Sequence, residues 1–222
     1  MVPAMATIER YEASTVPVLA DRARRVLGEG GVIALPTESF YGLGVAPFDE
    51  QALAKLRLVK GRSEGKPILV LIGDEAQLGV FVRNSPPAAT VLMNAFWPGP
   101  LTIVFPAAVG LPDAVTAGTN SVGIRLSAWQ PLRDLLRRLG PVTGTSANRE
   151  SIPPPTTAKE VQDSLGDALD LIIDAGPTPG GRPSTVIDVR GPIRIIREGA
   201  IERGAIVAQL AAHGLHLDAD SR

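Results

Sequence analysis

The chain of 222 residues contains no cysteine, and its two histidines, His213 and His216, both lie near the C-terminus. The lack of cysteine excludes disulfides, thiolate metal sites and thiol nucleophiles. With histidine confined to one end, we expect neither a Ser-His-Asp hydrolase nor a histidine-ligated metal site. The remaining polar chemistry comes from hydroxyls, carboxylates, amides, lysine and arginine, which suits binding and orienting a charged substrate.

A strong charge of one sign and long apolar runs are also missing. The formal net charge is −1 at pH 7, so we expect no general attraction to nucleic acid or to an anionic membrane. The longest aliphatic run, Ile68 to Ile72, is far shorter than the roughly 20 residues that span a bilayer. The N-terminus carries no apolar signal core. We therefore expect a cytoplasmic protein with no membrane partner.

Strand-like and helix-like segments alternate along the chain, and 45% of its residues are apolar, which suffices for a sizeable core. The apolar runs 101–105 and 121–126 could pair as a hairpin, as could 184–189 and 193–197. These features favour an α/β fold with a twisted, mixed sheet of parallel and antiparallel strands, flanked by helices.

The length suits one large domain. We assign residues 1–13 to an N-terminal leader, residues 14–213 to a single catalytic domain and residues 214–222 to a C-terminal tail that frays.

The stretch from residue 31 to residue 67 places polar groups beside an apolar segment. An apolar run ended by Pro36 predicts a short buried strand. Gly42 and Gly44 predict a tight turn or a close approach to a ligand, and Asp49 predicts the cap of a helix that runs to about Lys60. Between the strand and the glycines lie the hydrogen-bonding residues Thr37, Glu38, Ser39 and Tyr41.

Cations cluster at the end of this predicted helix. Lys60, Arg62 and Lys66 lie there, and the chain has only four lysines in all. Such cations often do no more than complement a helix dipole. However, no carboxylate lies between Lys55 and Arg62 to pair with them locally, so binding of an anion is the second interpretation.

Two further segments combine strand character with polar groups. In the segment 121–126, Arg125 alternates with Ile124 and Leu126, so its side chain faces away from theirs, towards either solvent or a ligand. The residues from Gly144 to Asn148 end another strand-like run, which predicts either a ligand site or an ordinary Asn/Ser turn.

The loop from Gly176 to Ser184 superficially resembles a phosphate-binding loop. It lacks lysine, contains Pro183 and precedes a strand-like run, so we reject that interpretation. Its glycines and prolines suggest instead that residues 176–183 could close over a site as a lid.

Eight short motifs, in the same order along the chain, resemble those of the YrdC-like family, the threonylcarbamoyl-AMP synthases of the TsaC type. They cover roughly residues 25 to 205. The motifs are P-T-E-S-F-Y-G-L-G at 36–44, K-G-R at 60–62, K-P at 66–67, W-P-G-P-L-T at 97–102, V-G-I-R at 122–125, T-S-A-N at 145–148, S-T-V at 184–186 and R-E-G-A-I at 197–201.

The resemblance implies a twisted α/β sheet with a large, concave, basic cleft, in the short form of the family without an extra C-terminal domain. It implies a nucleotidyltransferase that converts L-threonine, bicarbonate and ATP to L-threonylcarbamoyl-AMP and pyrophosphate, with Mg²⁺ held by the ATP phosphates and not by protein ligands. A tRNA threonylcarbamoyltransferase system would then transfer the group to adenosine 37 of ANN-decoding tRNAs, and a weak contact with tRNA is a further expectation.

The resemblance also assigns site residues. The chain departs from the family pattern at Ser63, Lys66 and Pro154. The catalytic K-x-R and S-x-N tetrad, which also binds ATP, corresponds to Lys60, Arg62, Ser146 and Asn148. The other implied ATP contacts are Lys66, Ser121, Arg125, Gly144 and Arg197. The implied threonine contacts are Thr37, Ser39, Arg125 and Ser184.

Two other functions compete with this one. An RNA-binding protein could use the same cleft, but the net charge, the four lysines and the 4% aromatic content weigh against RNA binding as the sole function. A related carbamoyl-adenylating module, as in hydrogenase maturation proteins, would lie within a much longer chain with zinc-binding parts, and this chain has no cysteine.

Overall fold

The computed structural model describes residues 6–61, 65–149 and 151–218. Within these residues, ten strands form one sheet and seven α-helices accompany it. The strands are β1 (Thr7–Arg10), β2 (Ile33–Pro36), β3 (Tyr41–Gly44), β4 (Leu69–Ile72), β5 (Leu101–Pro106), β6 (Ser121–Leu126), β7 (Val142–Ser146), β8 (Leu171–Asp174), β9 (Thr185–Asp188) and β10 (Arg194–Arg197). The α-helices are α1 (Val16–Gly28), α2 (Glu50–Lys60), α3 (Pro87–Phe96), α4 (Asp113–Thr116), α5 (Gln130–Leu139), α6 (Ala158–Leu165) and α7 (Arg203–Ala211). Short 3₁₀ helices span Ala13–Thr15, Glu75–Val80 and Gly166–Ala168.

The strand order in the sheet is β1-β8-β2-β3-β7-β4-β6-β5-β9-β10. The pairs β1–β8, β2–β8, β4–β6 and β5–β9 are parallel, and the other neighbours are antiparallel. The predicted mixed sheet is therefore confirmed. Both predicted hairpin pairings are also present, since β5 pairs with β6 and β9 with β10 in antiparallel register.

The ends of the described chain contribute to the sheet and the core more than the sequence suggested. Thr7–Arg10 lies within the predicted leader, yet it pairs with β8 as an edge strand. Near the other end, Leu217 bridges Ile193 and the Asp218 N–H donates to the Ile193 carbonyl, so the predicted fraying tail is ordered as far as residue 218.

Of the two interpretations of Gly42 and Gly44, the tight turn is wrong, because both glycines lie within strand β3. The close approach to a ligand stays a prediction, and Gly42 lines a cleft over the sheet. Strand β3 pairs with β2 on one side and with β7 on the other. A Cβ atom at Gly44 would lie 3.0 Å from the Thr143 carbonyl oxygen, and one at Gly42 would lie 3.2 Å from that of Thr145. The glycines therefore permit close packing of β3 against β7.

Helix α2 begins and ends as predicted. The Asp49 carboxylate accepts hydrogen bonds from the N–H groups of Gln51 and Ala52 at 3.0 Å, which caps the first turn. Gly61 ends the helix in the left-handed conformation, with φ of 58°. No helix within the described residues is long and apolar enough to cross a membrane.

Helices cover the two faces of the sheet unequally. Helices α1 and α5 pack their leucines on strands β2, β4, β7 and β8. The opposite face carries the larger core, in which β5, β6 and β9 pack against α3 and α7. The reverse side of β5, β6 and β9 is left to form a cleft.

Candidate active site

A cleft with a volume of about 730 Å³ lies over this exposed side of the sheet. Its floor follows the two-residue period of the strands, because Thr102 and Val104 of β5 and Ser121, Gly123 and Arg125 of β6 line it. The residues between them are buried in the larger core. Among the described residues that line the cleft, three are arginines and none is a carboxylate.

The loop from Thr37 to Phe40 joins β2 to β3 and forms one wall of the cleft. The Thr37 hydroxyl donates to the Phe40 carbonyl at 2.8 Å and accepts from the N–H of Ser39 at 3.2 Å. Its oxygen also lies 3.3 Å from the Ser39 hydroxyl. The two predicted threonine-binding residues of this loop are therefore held together beside the cleft.

Three members of the predicted tetrad meet at the end of α2. The Lys60 ammonium donates to the backbone carbonyls of Ser146 and Asn148, both at 2.6 Å, and to the Asn148 side-chain oxygen at 3.1 Å. The Ser146 hydroxyl lies 3.3 Å from the same ammonium and lines the cleft. The fourth member, Arg62, lies outside the described residues.

Arg125 projects into the cleft from β6, as the alternation of its strand suggested, but it is not on a solvated face. Its side chain is 8% exposed and forms an ion pair with Glu38. Burial alone would raise the pKa of Glu38, but the charge of Arg125 and hydrogen bonds from Ser127 and Arg125 outweigh burial and lower the pKa. The Glu38 carboxylate therefore stays ionised at neutral pH.

Ser184 and Arg197 meet on the side of the cleft formed by β9 and β10. The Arg197 guanidinium donates to the Ser184 carbonyl at 2.8 Å and to its hydroxyl at 3.2 Å. The Ser184 hydroxyl also lies 2.9 Å from that of Thr102. Arg197 and Arg125 line the same cleft, and partial burial together with the charge of Arg125 lowers the pKa of Arg197.

The other predicted ATP contacts divide into two groups. Ser121 and Gly144 line the cleft, and the Ser121 hydroxyl lies 2.6 Å from that of Thr119. Lys66 is exposed next to Pro67, and of these two only Pro67 is among the described lining residues. Pro154, where the chain departs from the family pattern, also lines the cleft.

Comparison with known sequences places the chain in a protein family. The Sua5/YciO/YrdC family, described as "Telomere recombination", matches residues 25–199. The chain belongs to this family. A relative from Pyrococcus abyssi named threonylcarbamoyl-AMP synthase is 34% identical over 212 residues, which cover 92% of this chain and 61% of the relative. A protein of the same name from Thiobacillus denitrificans is 39% identical over 164 residues, covering 73% of this chain and 87% of the relative.

A solved structure shares the fold of this Sua5/YciO/YrdC family member. The crystal structure of P. abyssi Sua5 complexed with L-threonine is 32% identical, with a TM-score of 0.83 over 96% of this chain and 62% of that chain. The chain thus spans about three fifths of the length of the P. abyssi proteins.

Two cleft arginines of this family member have carboxylate partners that the sequence analysis did not assign to the site. Glu38 holds Arg125, and Asp188 holds Arg190, which lines the cleft and which sequence reasoning missed. Arg190 also donates to the Thr119 carbonyl at 3.2 Å. Arg190 stands alone after β9, with no motif around it. The only available signal was an aspartate two residues earlier, Asp188, which is common in turns.

The loop 176–183 is hydrogen-bonded to Ser39 and Tyr41, which line one wall of the cleft, and to Thr156. The Gly180 N–H donates to the Ser39 carbonyl at 2.7 Å, and the Thr178 N–H donates to the Thr156 carbonyl at 2.8 Å. The Tyr41 hydroxyl holds the Gly176 carbonyl at 2.8 Å. Burial and the charge of Asp174 raise the pKa of Tyr41 to about 12, so this hydroxyl keeps its proton. Closure of the loop as a lid stays a prediction.

Proposed function

We propose that this protein synthesises L-threonylcarbamoyl-AMP from L-threonine, bicarbonate and ATP, with release of pyrophosphate. One observation carries the proposal. Residues from seven of the eight motifs, far apart in sequence, line a single cleft whose described lining includes three arginines and no carboxylate. Such a cleft suits a reaction in which two anions must meet. The names of the relatives and the threonine-bound P. abyssi structure support the same choice of substrate.

The proposed nucleotide site is built around the end of β7. Lys60 fixes Ser146 and Asn148 by its hydrogen bonds to their carbonyls, and we assign to Arg62 a direct contact with the ATP phosphates. Hydroxyl and amide donors then bind phosphate or ribose, while arginine gives bidentate phosphate contacts. The remaining proposed ATP contacts are Ser121, Gly144, Arg197, Lys66 and Arg125. Arg125 also contacts threonine in this proposal.

The proposed threonine site lies between the loop from Thr37 to Ser39 and the pair Ser184–Arg197. Arg125 lies near both and would bind the carboxylate of the amino acid, because a guanidinium matches a carboxylate in charge and geometry. The hydroxyls of Thr37, Ser39 and Ser184 would bind the remaining polar groups of threonine.

The chemistry requires no nucleophile from the protein. The threonine amine adds to carbon dioxide derived from bicarbonate and forms a carbamate. A carbamate oxygen then attacks the α-phosphorus of ATP, and pyrophosphate leaves. The cations of the site lower the free energy of the transition state by neutralising the charge that grows on the phosphates.

Mg²⁺ is proposed to enter with ATP. The described residues contain no group of three or more His, Cys, Asp or Glu side chains that could hold a metal ion. The hydroxyls, amides and cations of the cleft fit a metal that is carried on the phosphates. There Mg²⁺ would neutralise phosphate charge.

The product would serve the modification of tRNA. We propose that a tRNA threonylcarbamoyltransferase system in the cytoplasm accepts the threonylcarbamoyl group and transfers it to adenosine 37 of ANN-decoding tRNAs. A weak direct contact with tRNA is part of this proposal.

The test is pyrophosphate release by the purified protein with ATP and Mg²⁺, with and without L-threonine and bicarbonate. We expect release that requires both, and a loss of about 100-fold or more in Lys60→Ala and Arg62→Ala. Lys159→Ala is the matched control, because Lys159 is 81% exposed and pairs with Asp163 along α6. Release that is indifferent to threonine would indicate a different acceptor. RNA binding without ATP dependence, and without release, would favour the RNA-binding alternative.

A further inference from the structure

Arg125 is held from behind the cleft by a carboxylate that has no assigned role. Arg125 lines the cleft, whereas Glu38 does not belong to the described lining residues. The side chain of Glu38 is 15% exposed. Glu38 lies between Thr37 and Ser39, so the same loop supplies Thr37, Ser39 and Phe40 to the wall of the cleft and Glu38 to the layer beneath it.

A chain of hydrogen bonds fixes this carboxylate. The Ser127 hydroxyl donates to one carboxylate oxygen of Glu38, and the Ser127 oxygen accepts from the N–H of Trp129 at 3.2 Å. The other carboxylate oxygen accepts from Nε of Arg125 at 3.2 Å. Glu38 is thus anchored to the start of α5 on one side and holds the guanidinium on the other.

The guanidinium keeps hydrogen-bonding capacity for a ligand. Nη2 of Arg125 is buried and contacts Glu38 as an ion pair, but among the described residues it finds no hydrogen-bond acceptor with suitable geometry. Nη2 and Nε therefore face Glu38 and not the cleft. The remaining nitrogen, Nη1, makes no contact with Glu38 and is the group that would donate to an anion in the cleft.

The charge balance favours a small anion at this point. Arg197 lies close enough to Arg125 for their charges to interact, while Glu38 neutralises one of the two. The formal charge of these three side chains, Arg125, Arg197 and Glu38, sums to about +1, which matches the charge of a single carboxylate.

We propose that Glu38 is a positioning residue that orients Arg125 towards the carboxylate of the amino-acid substrate, and that Ser127 orients Glu38. This inference rests on the proposed function, since it takes threonine as the ligand of Arg125. Glu38 acts through Arg125 and not on the reacting atoms, because it lies beneath the cleft lining.

The test compares Glu38→Ala, Glu38→Gln and Ser127→Ala in the pyrophosphate assay, with calorimetric titration of L-threonine. We expect Glu38→Ala to raise the KM and Kd for threonine by about 10- to 100-fold, the range for a charged hydrogen bond. Glu38→Gln restores part of the affinity, because its amide oxygen still accepts from Arg125. Ser127→Ala shows a smaller rise. We expect kcat to stay within about threefold, because Glu38 does not touch the reacting atoms, and the KM for ATP to rise less than the KM for threonine, because ATP has several proposed contacts besides Arg125.

Asp170→Asn is the matched control for stability. Asp170 is an ion-paired carboxylate that accepts from Lys55 and from the N–H of Val32, both at 2.7 Å, outside the described cleft lining. We expect it to lower the melting temperature without changing the KM for threonine. If Glu38→Ala does not fold, Glu38→Gln and Ser127→Ala carry the same comparison.

Four results would overturn the inference while leaving the proposed function intact. The first is unchanged threonine affinity in all three variants. The second is a fall in kcat alone, which would indicate that Glu38 is a general base, and the third is tighter threonine binding, which would indicate that its carboxylate competes with the substrate. The fourth is an equal rise in the KM values for threonine and ATP with a loss of stability, which would indicate a structural role only. A wild-type protein that neither binds threonine nor releases pyrophosphate would instead overturn the proposed function, and this inference with it.

Discussion

The two faces of strand β6 differ in their contacts, because one packs against the protein core and the other lines the cleft. Val122 and Ile124 are fully buried against other apolar side chains of the same chain. On the reverse face, Ser121, Gly123 and Arg125 line the cleft. The first face is complete once the protein has folded. The cleft face carries hydroxyl and guanidinium groups. Some of their hydrogen-bonding partners lie beneath the cleft, and in our proposal the others belong to the substrate.

This difference implies a separation of effects within a single strand. A change on the core face should alter the free energy of unfolding, and a change on the cleft face should alter activity. Arg125 joins the two roles, since it is nearly buried and also faces the cleft.

The largest expected effect is on the core face, in Ile124→Ala. The side chain is fully buried, so its truncation should lower the free energy of unfolding by about 2–5 kcal/mol, through lost burial and the cavity left behind. Chemical denaturation measures this. Ser121→Ala is the matched change on the cleft face, expected to cost about 1 kcal/mol or less while reducing pyrophosphate release. If Ser121→Ala were the more destabilising of the two, the separation would not hold.

The alternation of β6 was visible in the sequence, and so the core residues and the direction of Arg125 could be predicted. The cap of α2 could be predicted as well, because Asp49 signals it locally. Strand β3 was missed, since glycines normally disfavour strands, and here they fit a close contact with β7.

The candidate site was predicted in part. Family motifs indicated Ser146 and Arg197, but not what holds them. Glu38 and Arg125 are 87 positions apart, and no local pattern links them. Such partners depend on the sheet order, which places β2 and β6 four positions apart. The layer beneath the cleft therefore becomes visible only in three dimensions.

A smaller effect is expected at Gly144, which faces Leu69 and Leu71 of the neighbouring strand β4 on the cleft side of the sheet. An added Cβ would lie 2.6 Å from Cδ1 of Leu69 and 2.8 Å from Cγ of Leu71, and both leucines line the cleft. Gly144→Ala should therefore cost about 1–3 kcal/mol of stability by overpacking and should also weaken ATP binding, because the leucines must shift into the cleft. Denaturation and ATP titration measure the two effects.

Gly28→Ala is the control for this substitution. A Cβ at Gly28 meets nothing within 4 Å, and the residue lies in the last turn of α1. It should stabilise the protein by about 0.4–1 kcal/mol and leave ATP binding unchanged. Normal ATP affinity in Gly144→Ala would show that the leucines relax away from the cleft.

The smallest effect is expected at the second ion pair of the cleft, Asp188–Arg190, which is more exposed than Glu38–Arg125. Partial burial would raise the pKa of Asp188, but hydrogen bonds and charge from Arg190, with the charge of Arg194, lower it below its ordinary value of 3.8. A lowered pKa contributes stability above the ordinary value, and this contribution is lost as pH falls through the folded value.

Wild-type protein should therefore lose more stability than Asp188→Asn when the pH falls below about 4, by at most about 1 kcal/mol, because the pair is partly exposed. Denaturation at a series of pH values, in low salt and in 1 M salt, measures the difference. High salt should reduce it, since exposed charges are screened, whereas the acid sensitivity that Glu38 confers should persist because that pair is buried. Equal salt sensitivity of the two pairs would mean that solvent reaches Glu38 as freely as it reaches Asp188. The proposed difference between a buried carboxylate beneath Arg125 and a partly exposed one beneath Arg190 would then be wrong.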